Sequence, residues 1–171
     1  SSNKLLIDIL AVNEQGLVTS ERSYTSYESI LQTKTYNKAN GTLSSTMSSG
    51  AWGTISYQAF QFDRLGNLKQ RTNKFDFNND GVLNESTEKY IETFAFDDSN
   101  RIKQHKIDSI FYEYYCYSAT GNLTHKKSGA ENCSSSATHS YTNKPHQVSS
   151  FNGKTYSYDA NGALESNQSS T

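Results

Sequence analysis

The chain has 171 residues, of which 33% are hydrophobic and 12% aromatic, and its 16 basic and 17 acidic residues give a net charge of −1. The two charge signs are interspersed, which excludes the basic surface that binding to nucleic acid or to an anionic membrane requires. No stretch of about 18 apolar residues is available to span a membrane, since the apolar run of residues 5–7 is interrupted by Asp8.

A seven-residue pattern recurs along the chain and predicts a turn. Each copy has an aromatic or aliphatic residue, then Asp, Asn or Ser, two variable residues, Gly, a further variable residue, and Leu, Ile or Val. A type I turn prefers Asp, Asn or Ser at its first corner and Gly at its fourth, where positive φ forms a bulge. We call each copy a turn cassette. In chain order the cassettes are residues 12–18, 36–43 with one insertion, 62–68, 77–83, 96–102 with Asn100 in place of Gly, 117–123 and 158–164.

Aromatic residues alternate with other residues before most cassettes, and this period of two predicts β-strands whose rings share one face. The predicted strands are residues 5–12, 54–63, 68–74, 88–97, 101–107, 110–117, 122–127, 147–151 and 154–159. Residues 141–148 predict a degenerate cassette whose turn uses Pro145. Stretches rich in Ser and Gly, residues 44–53 and 128–137, predict exposed loops.

The low aliphatic content favours a thin sheet with two partly wet faces over a thick sandwich. We therefore expect an all-β protein in which successive antiparallel β-hairpins form a curved, spiral-like sheet. Residues 1–53 are predicted to be degenerate N-terminal repeats, and residues 54–171 the main repeat sheet.

The cassette resembles the YD repeat of the Rhs family, which includes bacterial Rhs toxins, the B and C components of Tc insecticidal toxin complexes, and teneurins. The best match is YSYDANGAL at residues 156–164, and residues 144–164 resemble the stretch that leads into a late repeat in such proteins. The resemblance implies a ribbon of antiparallel strands that spirals into a hollow shell. In the toxin members this shell encloses a C-terminal polypeptide effector.

By this resemblance the chain is a structural segment of a secreted or surface toxin-like protein from a bacterium. Its partners are then the rest of the same polypeptide or toxin complex and the enclosed effector. The chain lacks the Pro-rich, Asp-Pro-containing core segment that precedes the cleaved effector in the family, so we expect neither cleavage nor toxicity to reside here. We also expect it to be a piece of a longer protein.

Residues 76–84, DFNNDGVLN, reproduce the D-x-N-x-D-G opening of a calcium-binding loop. The predicted ligands are Asp76, Asn78, Asp80, Val82 through its carbonyl, and Asn84 directly or through water. The twelfth position of such a loop requires a bidentate Glu, but Thr87 stands there and Glu88 follows one residue later. The alternative is that these residues form an ordinary cassette turn, with Asp76 facing solvent.

Cys116 and Cys133 are the only cysteines, and their spacing excludes a CxxC redox or zinc motif. In an oxidising compartment they could form a disulfide that fastens residues 128–137. The alternative is two free thiols, and the sequence leaves both open.

The sequence nominates no catalytic site. Its four histidines lack the HExxH spacing, and neither a G-x-S-x-G elbow nor a Gly-rich phosphate loop is present. The chain is therefore predicted not to be an enzyme.

Trp52 could stack on a sugar or plug the end of the sheet, and the plug is the expected role. A second candidate function is an extracellular module that binds a cell-surface glycan or protein. It would use an exposed Tyr face or the loops around Trp52 and residues 128–137.

Overall fold

The computed structural model describes residues 6–24, 28–141 and 144–169. Within these residues the chain is all-β, as predicted, with two open antiparallel sheets of ten and four strands. The strands are β1 (Leu6–Val12), β2 (Val18–Tyr24), β3 (Ser29–Tyr36), β4 (Leu43–Gly50), β5 (Gly53–Phe62), β6 (Leu68–Phe75), β7 (Lys89–Phe96), β8 (Ile102–Ile107), β9 (Phe111–Tyr117), β10 (Leu123–Ser128), β11 (His139–Tyr141), β12 (Val148–Phe151), β13 (Lys154–Tyr158) and β14 (Leu164–Ser169).

The strands pair in chain order, β1 to β10 in one sheet and β11 to β14 in the other. Within each sheet, every strand therefore pairs with the strand that follows it in sequence, as expected of successive hairpins. The chain divides into two compact units, Ser1–Thr93 and Phe94–Thr171. The predicted distinction between residues 1–53 and 54–171 concerned the regularity of the repeats and stays a prediction.

Five cassettes fold into the same hydrogen-bonded turn. In each, the amide of the second residue donates to the carbonyl of the sixth, and the amide of the fifth donates to the carbonyl of the second. Four of them add two bonds, because the Asp or Asn side chain also accepts from the amides of the fourth and sixth residues. The five cassettes are residues 12–18, 62–68, 96–102, 117–123 and 158–164.

The fifth position takes positive φ, as the cassette predicts. Gly66 has φ 86° and Gly162 has φ 85°, while Asn100, the one replacement of Gly, has φ 64°. Asn tolerates this left-handed conformation better than most residues with a Cβ atom. The turn is thus preserved where its usual glycine is not.

A bulge follows the turn at a fixed place. Phe62 pairs with Leu68 but Gln61 pairs with Gln70, so Lys69 is passed over. The same slip occurs after four other cassettes, where the skipped residues are Thr19, Ser44, Thr124 and Glu165. Each slip keeps the side chains of the new strand in register with the face that the old strand presents.

Tyrosine hydroxyls connect successive turns. The hydroxyl of Tyr117 donates to the carbonyl of Ile102 at 2.8 Å, which joins the first residue of one cassette to the last residue of the cassette before it. The same link is made by Tyr36 to Val18, Tyr141 to Leu123, and Tyr158 to Val148. Tyr141 and Val148 bound the predicted degenerate cassette, and they pair across β11 and β12; residues 142–143 within it lie outside the described residues.

The loop predicted at residues 44–53 is wrong, because most of it forms β4 and the first residue of β5. The strands β2, β3, β11 and β14 were not predicted either. Most of these strands are rich in Ser, Thr and other polar residues, so they lack the apolar or aromatic alternation that signals a strand. Backbone pairing with neighbours, which composition does not reveal, holds them in the sheet.

Few side chains are fully buried. Among the described residues only two hydrophobic side chains, Tyr114 and Cys116, are buried, whereas Asn73, Glu88, Glu92 and His125 are buried polar residues. Rings pair across strands instead of filling a deep core, as Phe94 does with His105 at a centroid separation of 4.9 Å. The thin sheet expected from composition is therefore what the chain forms.

Candidate functional site

Residues 76–88, between β6 and β7, form what we call the 76–88 loop. Asp76 organises its first half: one carboxylate oxygen accepts the amide of Asp80 at 3.1 Å and the other accepts the amide of Gly81 at 2.8 Å. The Asp80 carboxylate in turn accepts the amide of Val82 at 2.8 Å. The regular turn predicted for the cassette at residues 77–83 does not form, because the Gly81 amide donates to Asp76 instead of to the carbonyl of Asn78. The Asp80 amide is shared between Asp76 and the Asn78 side chain. Asp76 is half-buried, so it does not simply face solvent: its carboxylate accepts these amides.

The buried side chain of Glu88 holds this loop together. Its side chain is only 3% exposed, and one carboxylate oxygen accepts the amides of Phe77 at 3.0 Å and Asn78 at 3.4 Å. The other oxygen accepts the amide of Asn84 at 2.8 Å. A buried carboxylate is stable only when hydrogen bonds replace its lost water. Sequence reasoning noted Glu88 only as a displaced calcium ligand and missed this role.

The predicted calcium ligands lie together in the 76–88 loop, but hydrogen bonds use their oxygens. The side-chain oxygen of Asn84 accepts both the amide and the hydroxyl of Ser86, and Glu88, the nearest candidate for a bidentate ligand, is directed at amides. The described residues hold no cluster of three or more histidine, cysteine or carboxylate side chains suited to a metal. A bound calcium ion would therefore need oxygens from side-chain amides and carbonyl groups in addition to the carboxylates of Asp76 and Asp80. Calcium binding stays a prediction.

Trp52 lies at the tip of the turn between β4 and β5, where Gly50 pairs with Gly53. Its side chain is 87% exposed. The expectation that it plugs the end of the sheet is therefore wrong.

The Trp52 turn and the 76–88 loop are in direct backbone contact. The amide of Thr54 donates to the carbonyl of Gly81 at 3.0 Å, and the amide of Asp76 donates to the carbonyl of Ile55 at 3.0 Å. A Cβ atom on Gly53 would lie 2.5 Å from the Gly81 carbonyl oxygen, and one on Gly81 would lie 2.0 Å from that of Trp52. Only glycine fits at these two positions.

A cavity of about 320 Å³ opens beside this contact. Its wall includes the Trp52 ring, the carboxyl-bearing residues Glu28 and Asp76, and Asn79. Asn79 is exposed and has φ 59°, and its side chain makes no hydrogen bond to another described residue. An aromatic ring and several polar groups thus meet at one concave surface.

A polar cluster joins β5, β6 and β7. Asn73, only 1% exposed, donates to Glu92 at 2.8 Å and accepts from the side-chain amide of Gln58 at 2.8 Å. Arg71 also donates to Glu92, at 2.6 Å, and this hydrogen bond raises the pKa of Arg71. Because the cluster is hydrogen-bonded internally, it stabilises the pairing of these strands.

Residues 129–138, between β10 and β11, form what we call the 129–138 flap. A disulfide joins its Cys133 to Cys116 of β9, which settles the alternative that the sequence left open. The Tyr114 hydroxyl donates to the carbonyl of Asn132 at 3.3 Å, and His125 Nε2 donates to the carbonyl of Ser135 at 2.9 Å. The flap therefore covers the three most buried side chains of β9 and β10, although most of its own residues are exposed.

Further bonds fasten the flap to β10. The Lys127 ammonium donates to the carbonyl of Ser136 at 2.6 Å. The amide of Thr138 donates to the carbonyl of Thr124 at 2.9 Å. The loop predicted at residues 128–137 is thus confirmed from residue 129 onward, while Ser128 ends β10, and the loop is attached to the sheet at several points.

The surroundings of several ionisable groups shift their pKa values. A hydrogen bond from the Arg101 side chain, followed by one from its amide, lowers the pKa of Asp97 in the cassette turn. Burial raises the pKa of Tyr117 and of Tyr141, whose hydroxyls connect successive turns. Burial also lowers the pKa of His139, whose ring stacks on Phe151 at a centroid separation of 4.3 Å.

No protein-family model matches the chain, and no curated protein matches it. No helix among the described residues has the length and apolar character needed to cross a membrane.

Proposed function

We propose that the chain is a structural YD-repeat segment of a secreted or surface toxin-like protein, and that it contributes strands to a shell enclosing a polypeptide effector. The observation that carries the proposal is the cassette turn, repeated with the same backbone bonds in five places along strands that pair in chain order. A wall that grows by adding equivalent units needs only contacts between neighbours. No catalytic step is part of this proposal.

The links between turns support the same role. Each Tyr hydroxyl that donates to the preceding cassette fixes the spacing between successive hairpins, as Tyr117 and Tyr158 do. With only two buried hydrophobic side chains among the described residues, the strands leave most of their side chains at least partly exposed. Such strands suit a wall with water on either side.

The disulfide supports the proposed location outside the cytosol, because disulfides persist mainly in oxidising compartments. Electron cryomicroscopy of the natural polypeptide in which this chain occurs tests the whole proposal. An antibody fragment raised against the 129–138 flap would mark the position of the chain. We expect the label on the wall of a hollow particle with density inside it, whereas a label on a separate solid domain would overturn the proposal.

Calcium binding by the 76–88 loop is a further part of the proposal. We expect calcium to raise the melting temperature and Asp80→Ala to remove the rise, because a cation would bring together oxygens of Asp76, Asn78 and Asp80. Thermal melts with excess calcium and with a chelator measure this. An unchanged melting temperature would leave the loop's own hydrogen bonds as the full explanation of its Asp and Asn residues.

A second candidate function, an extracellular binding module, is favoured by one observation, the exposure of Trp52 at a braced turn. Exposed aromatic rings next to polar groups are typical of recognition surfaces. Binding to a glycan or to a cell-surface protein, measured on arrays with Trp52→Ala as the comparison, tests it.

A further inference from the structure

We propose that Trp52 and the adjoining cavity bind a neutral or amino sugar, an inference that rests on the second candidate function and names its ligand. The indole is the platform. At 87% exposure nearly its whole surface is available, and the apolar C–H face of a pyranose ring covers such a surface while its hydroxyls point to the sides. Burial of apolar ring surface stabilises the contact.

The platform is rigid before a ligand arrives. Two backbone hydrogen bonds, from Thr54 to Gly81 and from Asp76 to Ile55, fasten the Trp52 turn to the 76–88 loop. Glu88 holds that loop through three amides. A preorganised site loses less conformational entropy on binding than a flexible one does.

Polar groups line the cavity beside the ring. The cavity of about 320 Å³ beside the ring has the size for one or two sugar units and is lined by Glu28, Asp76 and Asn79. The carboxylates accept hydrogen bonds from hydroxyls, while the Asn79 amide both donates and accepts. Because Asn79 has positive φ and no partner among the described residues, its side chain is available to a ligand.

The charge of the cavity wall determines which classes of sugar can bind. The carboxylates of Asp76 and Glu28 in the wall accept hydrogen bonds and disfavour a bound anion. Neutral hexoses, N-acetylhexosamines and protonated amino sugars fit this wall, whereas sialic and uronic acids do not. A protonated amine would gain in addition from the face of the indole.

Trp52 is also the probe, since it is the only tryptophan of the chain. We expect a glycan array to show binding to neutral or amino saccharides. We then expect titration with a neutral oligosaccharide such as chitotriose to give a saturable blue shift of the fluorescence and to protect it from acrylamide. An anionic trisaccharide, sialyllactose, should do neither.

Variants separate this site from other surfaces. Trp52→Ala should abolish array binding, and Asn79→Asp, which keeps a residue tolerant of positive φ, should weaken chitotriose about tenfold, the loss of one good hydrogen bond. Leu65→Ala is the matched control, because Leu65 is also an exposed apolar residue, 77% accessible, at another turn. It should leave binding unchanged, with circular dichroism confirming that every variant is folded.

Binding of anionic glycans alone, or saccharide binding that survives Trp52→Ala, would overturn the inference. If no saccharide binds but immobilised poly-lysine or a cell-surface protein does so through Trp52, the sugar assignment is wrong and the binding module stands. If nothing binds, both are wrong.

Discussion

The 76–88 loop and the 129–138 flap interrupt the regular hairpins in different ways. The first is held by one buried carboxylate, Glu88, that accepts three amides of its own loop. The second is held by a disulfide and by side chains of β9 and β10 that bond to its carbonyl groups. The comparison teaches that a thin sheet with little core can fix a long loop either from within or by attachment to the strands below.

The largest loss of stability is expected from removing the Glu88 carboxylate. Glu88→Ala leaves three amides without their buried acceptor and should lower the free energy of unfolding by about 4 kcal/mol. Urea denaturation measures it. Glu85→Ala is the control, since that side chain is 63% exposed and its ion pairs with Lys74 and Lys89 should contribute less than about 1 kcal/mol. Equal losses in the two variants would contradict the role assigned to Glu88.

The second-largest loss of stability is expected from removing the disulfide. It closes a loop with a sequence separation of 17, so the double change Cys116→Ser and Cys133→Ser should lower the free energy of unfolding by about 3 kcal/mol. A reductant should have the same effect on the parent protein and none on the double variant. We expect faster hydrogen exchange in the 129–138 flap and unchanged exchange in the 76–88 loop, and a change in both would break the comparison.

Replacement of one glycine in the 76–88 loop and one in the 129–138 flap compares how tightly the two segments are packed. Gly81→Ala places a Cβ atom against the Trp52 carbonyl and should cost about 3 kcal/mol. Gly129→Ala meets nothing within 4 Å and strains only a φ of 102°, so it should cost about 1 kcal/mol. Thermal melts compare them. A costlier Gly129→Ala would show that the flap is packed more tightly than the loop.

The smallest expected effect is a change of stability with pH. Because the folded protein lowers the pKa of His139 from its ordinary 6.5, the unfolded chain takes up the proton first as pH falls. The resulting stability is present above pH 6.5 and is lost as pH falls through the folded pKa. Unfolding followed from pH 7.5 to 5 should show this loss, and His139→Phe, which keeps an aromatic ring against Phe151, should reduce it. An identical pH dependence in the variant would assign the loss to another group.

The local part of the fold could be predicted from sequence. Asp97 and Asn100 specify their turn through bonds within a few residues, so the cassette pattern carries the information. The 76–88 loop could not be predicted in this way, because Asp76 and Glu88 act from outside the seven residues of the pattern. Local turn chemistry is readable only where no neighbouring side chain competes for the same amides.

The site was predicted only in part. The sequence offers Trp52 as a ring that could stack on a sugar, but its exposure depends on a two-residue turn between strands that the polar residues of β4 do not reveal. The close approach of Gly53 and Gly81 joins segments that no local pattern relates. Likewise, the spacing of Cys116 and Cys133 allowed a disulfide without requiring one.

The central claim is that five cassettes, among them residues 62–68 and 158–164, fold the chain back with one residue passed over after the turn. Cross-strand nuclear Overhauser effects measured by NMR test it most directly. We predict contacts of Phe62 with Leu68 and of Gln61 with Gln70, and in a second copy of Tyr158 with Leu164 and of Ser157 with Ser166. Direct pairing of Phe62 with Lys69, or strands that pair out of chain order, would contradict the account.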